Sequence, residues 1–323
     1  MREVPARREA SRGEIALAFA AVYVLWGSTY LAIRFGVQTI PPFLLAGLRH
    51  STAGLLLYLW ARRRGTVRPQ PHHWRSAFVV GGLMLVGGNG LVTWAEQRVP
   101  SGVASLIVAS VPIWMTVIDG VQRRERPHGV VIAGLLLGLG GIAFLVAPGQ
   151  FAGGNHVDPL GAAALLSAAL FWAIGSLHSR RASLPESTLL AIAMEMIGGG
   201  VLLFVAATAT GEWRGFSIAA VSTRSLLALA YLVVAGSLLG FTAYIFLLGA
   251  TTPARVSTYA YVNPVVAVLL GWLFAGETVS PRTLVAAAVI VAAVALIIRH
   301  GARRTVAPAE ENVAPLRAQG GRR

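Results

Sequence analysis

Residues 41–60 read PPFLLAGLRHSTAGLLLYLW, an apolar stretch that carries Arg49 and His50 near its middle. An α-helix of about 20 residues, rising about 1.5 Å per residue, spans the roughly 30 Å hydrocarbon core of a bilayer. An arginine at the middle of such a helix costs about 2.5–3.5 kcal/mol to insert, and it stays protonated there. The stretch therefore predicts a membrane-spanning helix whose arginine faces a bundle interior or a water-filled cavity.

The composition of the whole chain agrees with that prediction. Of 323 residues, 55% are hydrophobic and only 12% are charged, about half the charged fraction of a soluble domain. The formal net charge is +14, but the basic residues lie in short tracts between apolar runs, a pattern typical of membrane topology rather than of nucleic-acid binding. The chain has no cysteine and no lysine, which excludes disulfides, thiolate metal sites, a P-loop and Schiff-base chemistry.

Apolar runs of helical length predict an all-α integral membrane protein with ten transmembrane helices. The predicted helices cover residues 15–34, 41–60, 76–95, 102–120, 129–147, 159–177, 187–208, 225–248, 255–275 and 281–298. With the N-terminus inside, 21 arginines fall on the inner side, 5 on the outer side and Arg49 within the membrane. By the positive-inside rule this predicts a multi-pass protein of a bacterial inner membrane with both termini cytoplasmic, its tails being residues 1–14 and 300–323.

The sequence also contains an internal repeat. The segment from residue 99, VPSGVASLIVASVPIWMTVIDGVQRRERP, aligns with the segment from residue 250, ATTPARVSTYAYVNPVVAVLLGWLFAGETVSP. An offset of 152 pairs Pro112 with Pro264, and an offset of 146 pairs Trp26 with Trp172. Each half has five predicted helices, so the second half enters the membrane from the opposite side. Inverted repeats of this kind are the architecture of many secondary transporters, with the substrate site near the midplane.

The 146 offset carries Arg49 onto Glu195, within AIAMEMIGGG of the seventh predicted helix. Arg49 either binds a carboxylate or phosphate, which its planar fork suits, or pins the fold by pairing with Glu195 or helix carbonyls. Glu195 is a candidate proton carrier, because burial raises a carboxyl pKa while a nearby arginine lowers it. His50 titrates in a useful range as a second coupling candidate, or packs as a hydrogen-bonded histidine. Neither contact nor separation of Arg49 and Glu195 follows from the sequence.

In the order, spacing and duplication of its motifs the chain resembles the EamA-type family of the drug/metabolite transporter superfamily, close to its YedA-like members. The segments that carry the resemblance are LWGSTYLAIRFG, PPFLLAGLRH, GLVTWAEQRVPSGVASLIVASVP and ARVSTYAYVNPVVAVLLGWLFAGETVSP, and it extends from Ile15 to Ile298. The resemblance implies two inverted five-helix repeats, residues 15–147 and 158–299, and secondary transport of small metabolites, often export. It also implies a central cavity lined by the first, third, fourth, sixth, eighth and ninth helices.

The cavity-forming helices carry polar or amphipathic side chains that suit an amphipathic substrate. These candidate substrate contacts, besides Arg49, are Trp26, Tyr30, Asn89, Trp94, Trp114, Trp172, Ser176, Tyr244, Tyr259 and Asn263. Packing, or an interfacial aromatic belt for Trp94 and Trp172, is the alternative. Pro112 and Pro264 either act as hinges or only shape their helices. The histidines have no paired metal spacing, so no metal site and no cofactor are predicted.

The inverted repeats and the lack of an ATP-binding motif predict a secondary active transporter that works by alternating access, coupled to protons or to exchange. The resemblance implies that its substrates are small amphipathic metabolites and favours export. Amino acids or their derivatives are the expected substrates, on the resemblance alone. A passive facilitator of the same architecture remains an alternative. An intramembrane enzyme needs a convergent acid/base or metal set, which the sequence lacks, and a sensor would tolerate loss of Arg49 and Glu195. Small solutes and membrane lipid are the expected partners, with no nucleic acid.

Overall fold

The structure, a computed structural model, describes residues 11–124, 129–146, 157–251, 253–256 and 258–306. Within those ranges every regular element is helical: ten long helical segments follow one another along the chain, with two short 3-10 turns, Glu212–Gly215 and Ile218–Ala220, after the seventh. The ten segments are α1 Arg12–Gly36, α2 Pro42–Arg63, α3 Pro71–Ala95, α4 Ser101–Val108 with Val111–Arg123, α5 Gly129–Val146, α6 Pro159–Ser179, α7 Thr188–Ala209, α8 Thr223–Ala250, α9 Pro253–Val256 with Tyr259–Ala275, and α10 Pro281–Val306. The all-helical prediction is confirmed for these residues.

Eight of the segments in the described ranges are long and apolar enough to cross a membrane. The other two are α2, whose Arg49 and His50 are both buried within the bundle, and the Tyr259–Ala275 part of α9, which has 17 residues. Large apolar side chains such as Leu136 and Phe274 are exposed on the outside of the bundle, as a lipid-facing surface requires. The protein thus has a membrane fold, and the count of ten spans stays a prediction.

The helix starts follow from local capping. Ser11 precedes α1, where its Oγ accepts from the Glu14 N–H at 3.1 Å, and Asp158 precedes α6, where its Oδ1 accepts from the Gly161 N–H at 2.8 Å. Both side chains satisfy an N–H that has no partner within the helix. The end of α10 differs from the prediction, because the helix continues to Val306, past the expected end at residue 298. The rest of the predicted tails, residues 1–10 and 307–323, lies outside the described residues.

Two predicted helices are each divided in two. The expected helix 102–120 is interrupted at Ala109 and Ser110, and the expected helix 255–275 begins afresh at Tyr259. Pro112 therefore lies in the first turn of Val111–Arg123, where proline leaves no helical hydrogen bond unmade. Pro264 lies inside its helix. The two prolines thus differ in their local effect, although the repeat pairs them.

Two helices widen into π-helical turns, Gly82–Gly90 within α3 and Leu232–Leu239 within α8. Such turns are rare in α-helices and are frequent at functional sites. A glycine within the first wide turn, Gly88, and one directly after the second, Gly240, each lie under a tryptophan from another helix. A Cβ on Gly88 would lie 2.8 Å from Trp172 Cε3, and one on Gly240 would lie 2.5 Å from Trp26 Nε1. The 152 offset relates the two glycines, and the 146 offset relates the two tryptophans.

One core cluster contains Leu44 and Leu45 of α2 together with Leu106, Ile107 and Leu165 of α4 and α6, all almost fully buried. A second cluster packs Ala53 and Leu57 of α2 against Met196 and Leu203 of α7, the helix against which α2 packs most extensively. Burying a leucine or isoleucine side chain contributes about 1.5–3 kcal/mol, so these contacts hold α2 in place.

Candidate functional site

A central cavity of about 240 Å³ lies among the helices. Its lining comes from α1, α3, α4, α6, α8 and α9, the six helices that the family resemblance implies, with Arg49 of α2 and Ile298 of α10 added. The lining residues are Trp26, Thr29, Tyr30, Ile33, Arg49, Gly88, Asn89, Val92, Ser105, Val108, Ala109, Val111, Pro112, Met115, Ala168, Trp172, Phe241, Tyr259, Ala260, Asn263, Pro264 and Ile298. Most are apolar, with a few polar groups that converge on one space.

An aromatic cluster around Trp26 forms one wall. The Trp26 ring meets Tyr259 edge-on at a centroid distance of 5.0 Å and Phe241 at 5.3 Å, while Tyr244 lies 5.1 Å away. Trp26 Nε1 donates to the carbonyl of Gly236, which lies in the wide turn of α8, at 3.1 Å. Edge-to-face contacts of this kind add about 0.5–1.5 kcal/mol each beyond area burial, so the wall is held in one arrangement.

Arg49 is the cationic group at the cavity. Its side chain is 6% exposed, and its Nε donates to Ser237 Oγ of the same wide turn at 3.1 Å. Among the described residues no hydrogen bond or ion pair joins Arg49 to Glu195, and Glu195 does not line the cavity. The pairing that the repeat allowed is therefore absent from this conformation. Ser237 occupies one of the five N–H donors of the guanidinium. The remaining donors suit it to bind a carboxylate.

His50 has a different environment from its neighbour. It is 1% exposed, it does not line the cavity, and neither ring nitrogen has a hydrogen-bond partner in the described part of the chain. The expectation of a hydrogen-bonded packing histidine is therefore not met. Successive helical residues are about 100° apart, which explains why only one of the two side chains reaches the cavity.

The other predicted contacts divide into two groups. Besides Arg49, the cavity contains Trp26, Tyr30, Asn89, Trp172, Tyr259 and Asn263, and it also contains Pro112 and Pro264. With its amide nitrogen turned toward carbonyls, Asn263 donates to Tyr259 O and Tyr23 O, each at 3.3 Å. Four predicted contacts lie outside the lining, namely Trp94, Trp114, Ser176 and Tyr244. Of these, Tyr244 packs directly behind the wall, against Trp26 and Tyr259.

Trp94 lies instead at a second cavity, of about 460 Å³, beside the turn between α1 and α2. Its ring is covered by the Arg98 guanidinium, 5.1 Å from the ring centroid. Trp114 is half-buried, and its buried Nε1 has no partner in the described residues; the Ser176 carbonyl accepts from Ser179 Oγ.

Comparison with known proteins decides the family. The model of the EamA-like transporter family matches residues 13–147 and again residues 159–299. The chain is 39% identical over 303 residues to the uncharacterized inner membrane transporter YedA of Escherichia coli (strain K12), which covers 93% of this chain and 94% of that protein. The chain belongs to the EamA-like transporter family. It is a membrane transporter, and the resemblance seen in the sequence is confirmed.

Two further comparisons extend over the same length. This EamA-like protein is 25% identical to the uncharacterized transporter YvbV of Bacillus subtilis (strain 168) over 297 residues, 92% of this chain and 93% of that one. A solved crystal structure superposes with a TM-score of 0.61 over 92% of this chain and 100% of that chain, at 23% identity. At that identity the likeness concerns the fold alone.

The EamA-like transporter has one buried carboxyl that sequence reasoning missed. Glu96, directly after α3, is 0% exposed, and neither carboxylate oxygen has a hydrogen-bond partner in the described residues. Its backbone carbonyl accepts from Arg34 of α1 at 2.5 Å. The signal available in the sequence was a lone carboxylate in TWAEQRVPSG, between an apolar run and a proline-started helix.

Two other carboxylates cross between the halves of this transporter. Glu277, after α9, accepts from Ser101 N at 2.7 Å, Ser101 Oγ at 2.8 Å and Gly102 N at 3.0 Å. Glu212, after α7, accepts from the N–H groups of Phe43 and Leu44 at 3.1 and 3.0 Å. Burial raises the pKa of Glu212 above its usual range, against the lowering effect of those two hydrogen bonds. The second half thus caps the starts of α4 and α2.

Proposed function

We propose that this EamA-like protein is a secondary active transporter of small amphipathic metabolites. Amino acids or their derivatives are the proposed substrates, and export is the favoured direction. The observation that carries the proposal is the central cavity, in which an aromatic wall, the amides of Asn89 and Asn263, and the Arg49 guanidinium surround one space. Its volume of about 240 Å³ lies below the range typical of drug-sized ligands, which favours a solute of a few heavy atoms.

The charge of the cavity favours a substrate with a carboxylate. Arg49 lines the cavity, and no aspartate or glutamate does so among the described residues. A charge-assisted hydrogen bond to a guanidinium contributes about 1.5–3 kcal/mol, more than a neutral one. In the proposed site, Arg49 binds the carboxylate and the ring faces of Trp26 and Trp172 contact the apolar part of the solute.

The proposed mechanism is alternating access by two inverted halves, with ten spans and both termini in the cytoplasm. Two observations support it. The tryptophan–glycine contacts Trp26–Gly240 and Trp172–Gly88 are duplicated across the halves. The Glu277 and Glu212 carboxylates join the halves at helix starts that the arginine distribution puts on the outer side. Opening toward that side requires these hydrogen bonds to break, with Pro112 and Pro264 as proposed hinges.

Coupling to protons or to exchange belongs to the same proposal. Glu195 and His50 are the candidate coupling groups from the sequence, and neither lines the cavity. A group outside the cavity couples to the substrate only if a conformational change links the two. Either group must therefore act through movement of α7 or α2.

Transport in proteoliposomes tests the function. Three small radiolabelled probes of different charge, L-lactate, L-alanine and choline, are offered under an imposed pH gradient, with protein-free vesicles as blank. Accumulation of lactate or alanine above equilibrium, lost in Arg49→Ala and kept in the matched surface variant Arg98→Ala, is the expected result. Equilibration without accumulation would indicate a facilitator. Preference for choline, or flux that survives Arg49→Ala, would contradict the proposed site.

A further inference from the structure

One face of α2 is a stripe of exposed apolar side chains that ends in an exposed arginine. We name it the α2 stripe, and its members are Leu55, Leu56, Leu59, Trp60 and Arg63. The opposite face of α2, which includes Ala53 and Leu57, is buried against α7. Residues three, four and seven positions apart share one face of an α-helix. The leucines and the Arg63 side chain therefore lie on the same side of α2, outside the bundle.

The length of the α2 stripe matches one leaflet of a bilayer. At about 1.5 Å per residue, Arg63 lies about 21 Å from Arg49 along the helix axis. Lipid headgroups occupy the zone from about 15 to 22 Å on either side of the bilayer midplane. Since the sequence places Arg49 near the middle of the span, the leucines face acyl chains and Arg63 reaches the depth of the lipid phosphates. Trp60, one turn earlier, lies where tryptophan is enriched in membrane proteins.

The charge at this end of α2 is uniformly positive. Arg62, Arg63 and Arg64 are consecutive, and no aspartate or glutamate occurs from residue 15 to residue 95. The Arg64 guanidinium lies over the Trp60 ring, 4.7 Å from the ring centroid, which holds this cation beside the apolar stripe. Arg63 makes no hydrogen bond or ion pair within the part of the chain that the structure describes. A guanidinium with free donors binds a phosphate through two parallel hydrogen bonds.

Two arginines on the predicted outer side differ from Arg63 in this respect. Arg224 lies over the Phe35 ring, 3.6 Å from the ring centroid, and Arg282 Nε donates to the Phe144 carbonyl at 2.7 Å. Both guanidinium groups are thus engaged by their own protein, whereas that of Arg63 is left for a group from outside it.

We propose that the α2 stripe binds one anionic glycerophospholipid of the surrounding bilayer, with the phosphate at Arg63 and Arg64 and an acyl chain along the leucines. Such a lipid matches the stripe in charge, in length and in the order of its apolar and charged parts. A second copy of the chain matches it less well, because a two-fold contact along the stripe would bring two arginine clusters together. The inference is independent of which solute the central cavity takes.

Native mass spectrometry of the delipidated protein in a nonionic detergent tests the site. Dioleoyl phosphatidylglycerol and dioleoyl phosphatidylcholine are added in equal amounts, and wild type should retain the phosphatidylglycerol preferentially. Each arginine near a bilayer surface strengthens binding of an anionic lipid by about fivefold. Arg63→Ala/Arg64→Ala should therefore weaken phosphatidylglycerol binding by roughly 25-fold. Arg63→Lys/Arg64→Lys should keep most of it, because the positive charges remain.

Arg180→Ala/Arg181→Ala is the matched control, because it removes the same charge from exposed positions between α6 and α7 and should leave lipid binding unchanged. Thermal unfolding checks that all variants fold. Equal retention of the two lipids by wild type would overturn the inference, and so would equal losses in the two alanine variants, which would indicate attraction to the whole basic surface.

Two other occupants of the α2 stripe are outcomes of the same experiment. Glycerol 1-phosphate carries the charged group without acyl chains, and it should not displace phosphatidylglycerol at equal concentration. Displacement would show that the arginines bind a free phosphate and that the stripe is not a lipid site. A dimer mass in place of bound lipid would assign the stripe to a second copy of the chain.

Discussion

Arg49 and Glu195 occupy positions that the repeat makes equivalent, yet their environments differ. Arg49 lines the cavity and donates to Ser237, whereas Glu195 does not line it and makes no hydrogen bond to Arg49. The tryptophans of the two halves show the same contrast. Trp26 donates a hydrogen bond and lies in an aromatic cluster, whereas the Trp172 indole makes no hydrogen bond to any described residue. The halves thus share a backbone plan and differ in the chemistry they contribute to the site.

The largest expected effect of that contrast is on substrate binding. Arg49→Ala should weaken exchange of the carried probe by roughly 10- to 150-fold, because a charge-assisted hydrogen bond of about 1.5–3 kcal/mol is lost. Glu195→Gln should weaken exchange less, since the Glu195 side chain lies outside the cavity. Arg49→Lys should weaken exchange by an intermediate factor, because lysine keeps the positive charge but lacks the planar guanidinium. Homoexchange in proteoliposomes measures all three. Equal losses in Arg49→Ala and Glu195→Gln would show that the two halves contribute equally.

The glycines under the two tryptophans should respond next most strongly. Gly240→Ala and Gly88→Ala each insert a Cβ within 2.8 Å of a tryptophan atom, and overpacking costs about 1–3 kcal/mol. Gly249→Ala is the control on α8, because nothing lies within 4 Å of its Cβ position. Thermal unfolding in detergent should show a lower midpoint for the first two and an unchanged or higher one for the control. A stable Gly88→Ala beside an unstable Gly240→Ala would sharpen the asymmetry.

A smaller effect is expected from removing the indole N–H groups. Trp26→Phe keeps a ring but loses the hydrogen bond to the Gly236 carbonyl, a loss of about 0.5–1.5 kcal/mol. The Trp172 indole has no hydrogen-bond partner in the described part of the chain, so the unfolding midpoint of Trp172→Phe should fall less. The comparison is made on the same preparation by thermal unfolding. The reverse order would indicate that Trp172 is the better-held wall of the cavity.

The smallest effect concerns the caps at the starts of the halves, Ser11 and Asp158. The Gly161 N–H hydrogen bond and Arg98 lower the pKa of Asp158. Its stabilisation is therefore complete above the usual aspartate value of about 3.9 and is lost as the pH falls through the folded-state value. Asp158→Asn keeps an acceptor that does not titrate. The difference in unfolding midpoint between wild type and Asp158→Asn should shrink as the pH is lowered below about 4. A constant difference would mean that the charge has no part in the cap.

Much of the helical framework could be predicted because helix starts and apolar runs are local properties. Ser11, Pro41 and Asp158 mark starts that the structure contains within a few residues. Arg49 could be singled out because an intramembrane charge needs a polar interior. The family could also be recognised from the order of the sequence motifs along the chain.

The remainder depends on tertiary contacts. No pattern of apolar residues in the sequence marks the break at Ala109 or the π-helical turns of α3 and α8. Helix rotation decides which side chains face inward, so Trp94 and Trp114 could not be separated from Trp26 by composition. Glu96 follows the last turn of α3, and its burial depends on tertiary contacts such as the one that Arg34 of α1 makes with its carbonyl.

The Ser237 contact also has a consequence for the thermodynamics of recognition. A free arginine side chain carries about 2 kcal/mol of rotamer entropy, which a ligand must overcome when it fixes the side chain. In this protein the guanidinium is already restrained by Ser237 and lies against Gly236, where a Cβ would approach its Nη2 within 3.2 Å. The entropy of fixing the Arg49 side chain is therefore lost when the chain folds. It lowers the free energy of unfolding and does not weaken ligand binding. Preorganisation of this kind lets a solute of very few atoms be held firmly enough to be distinguished from water.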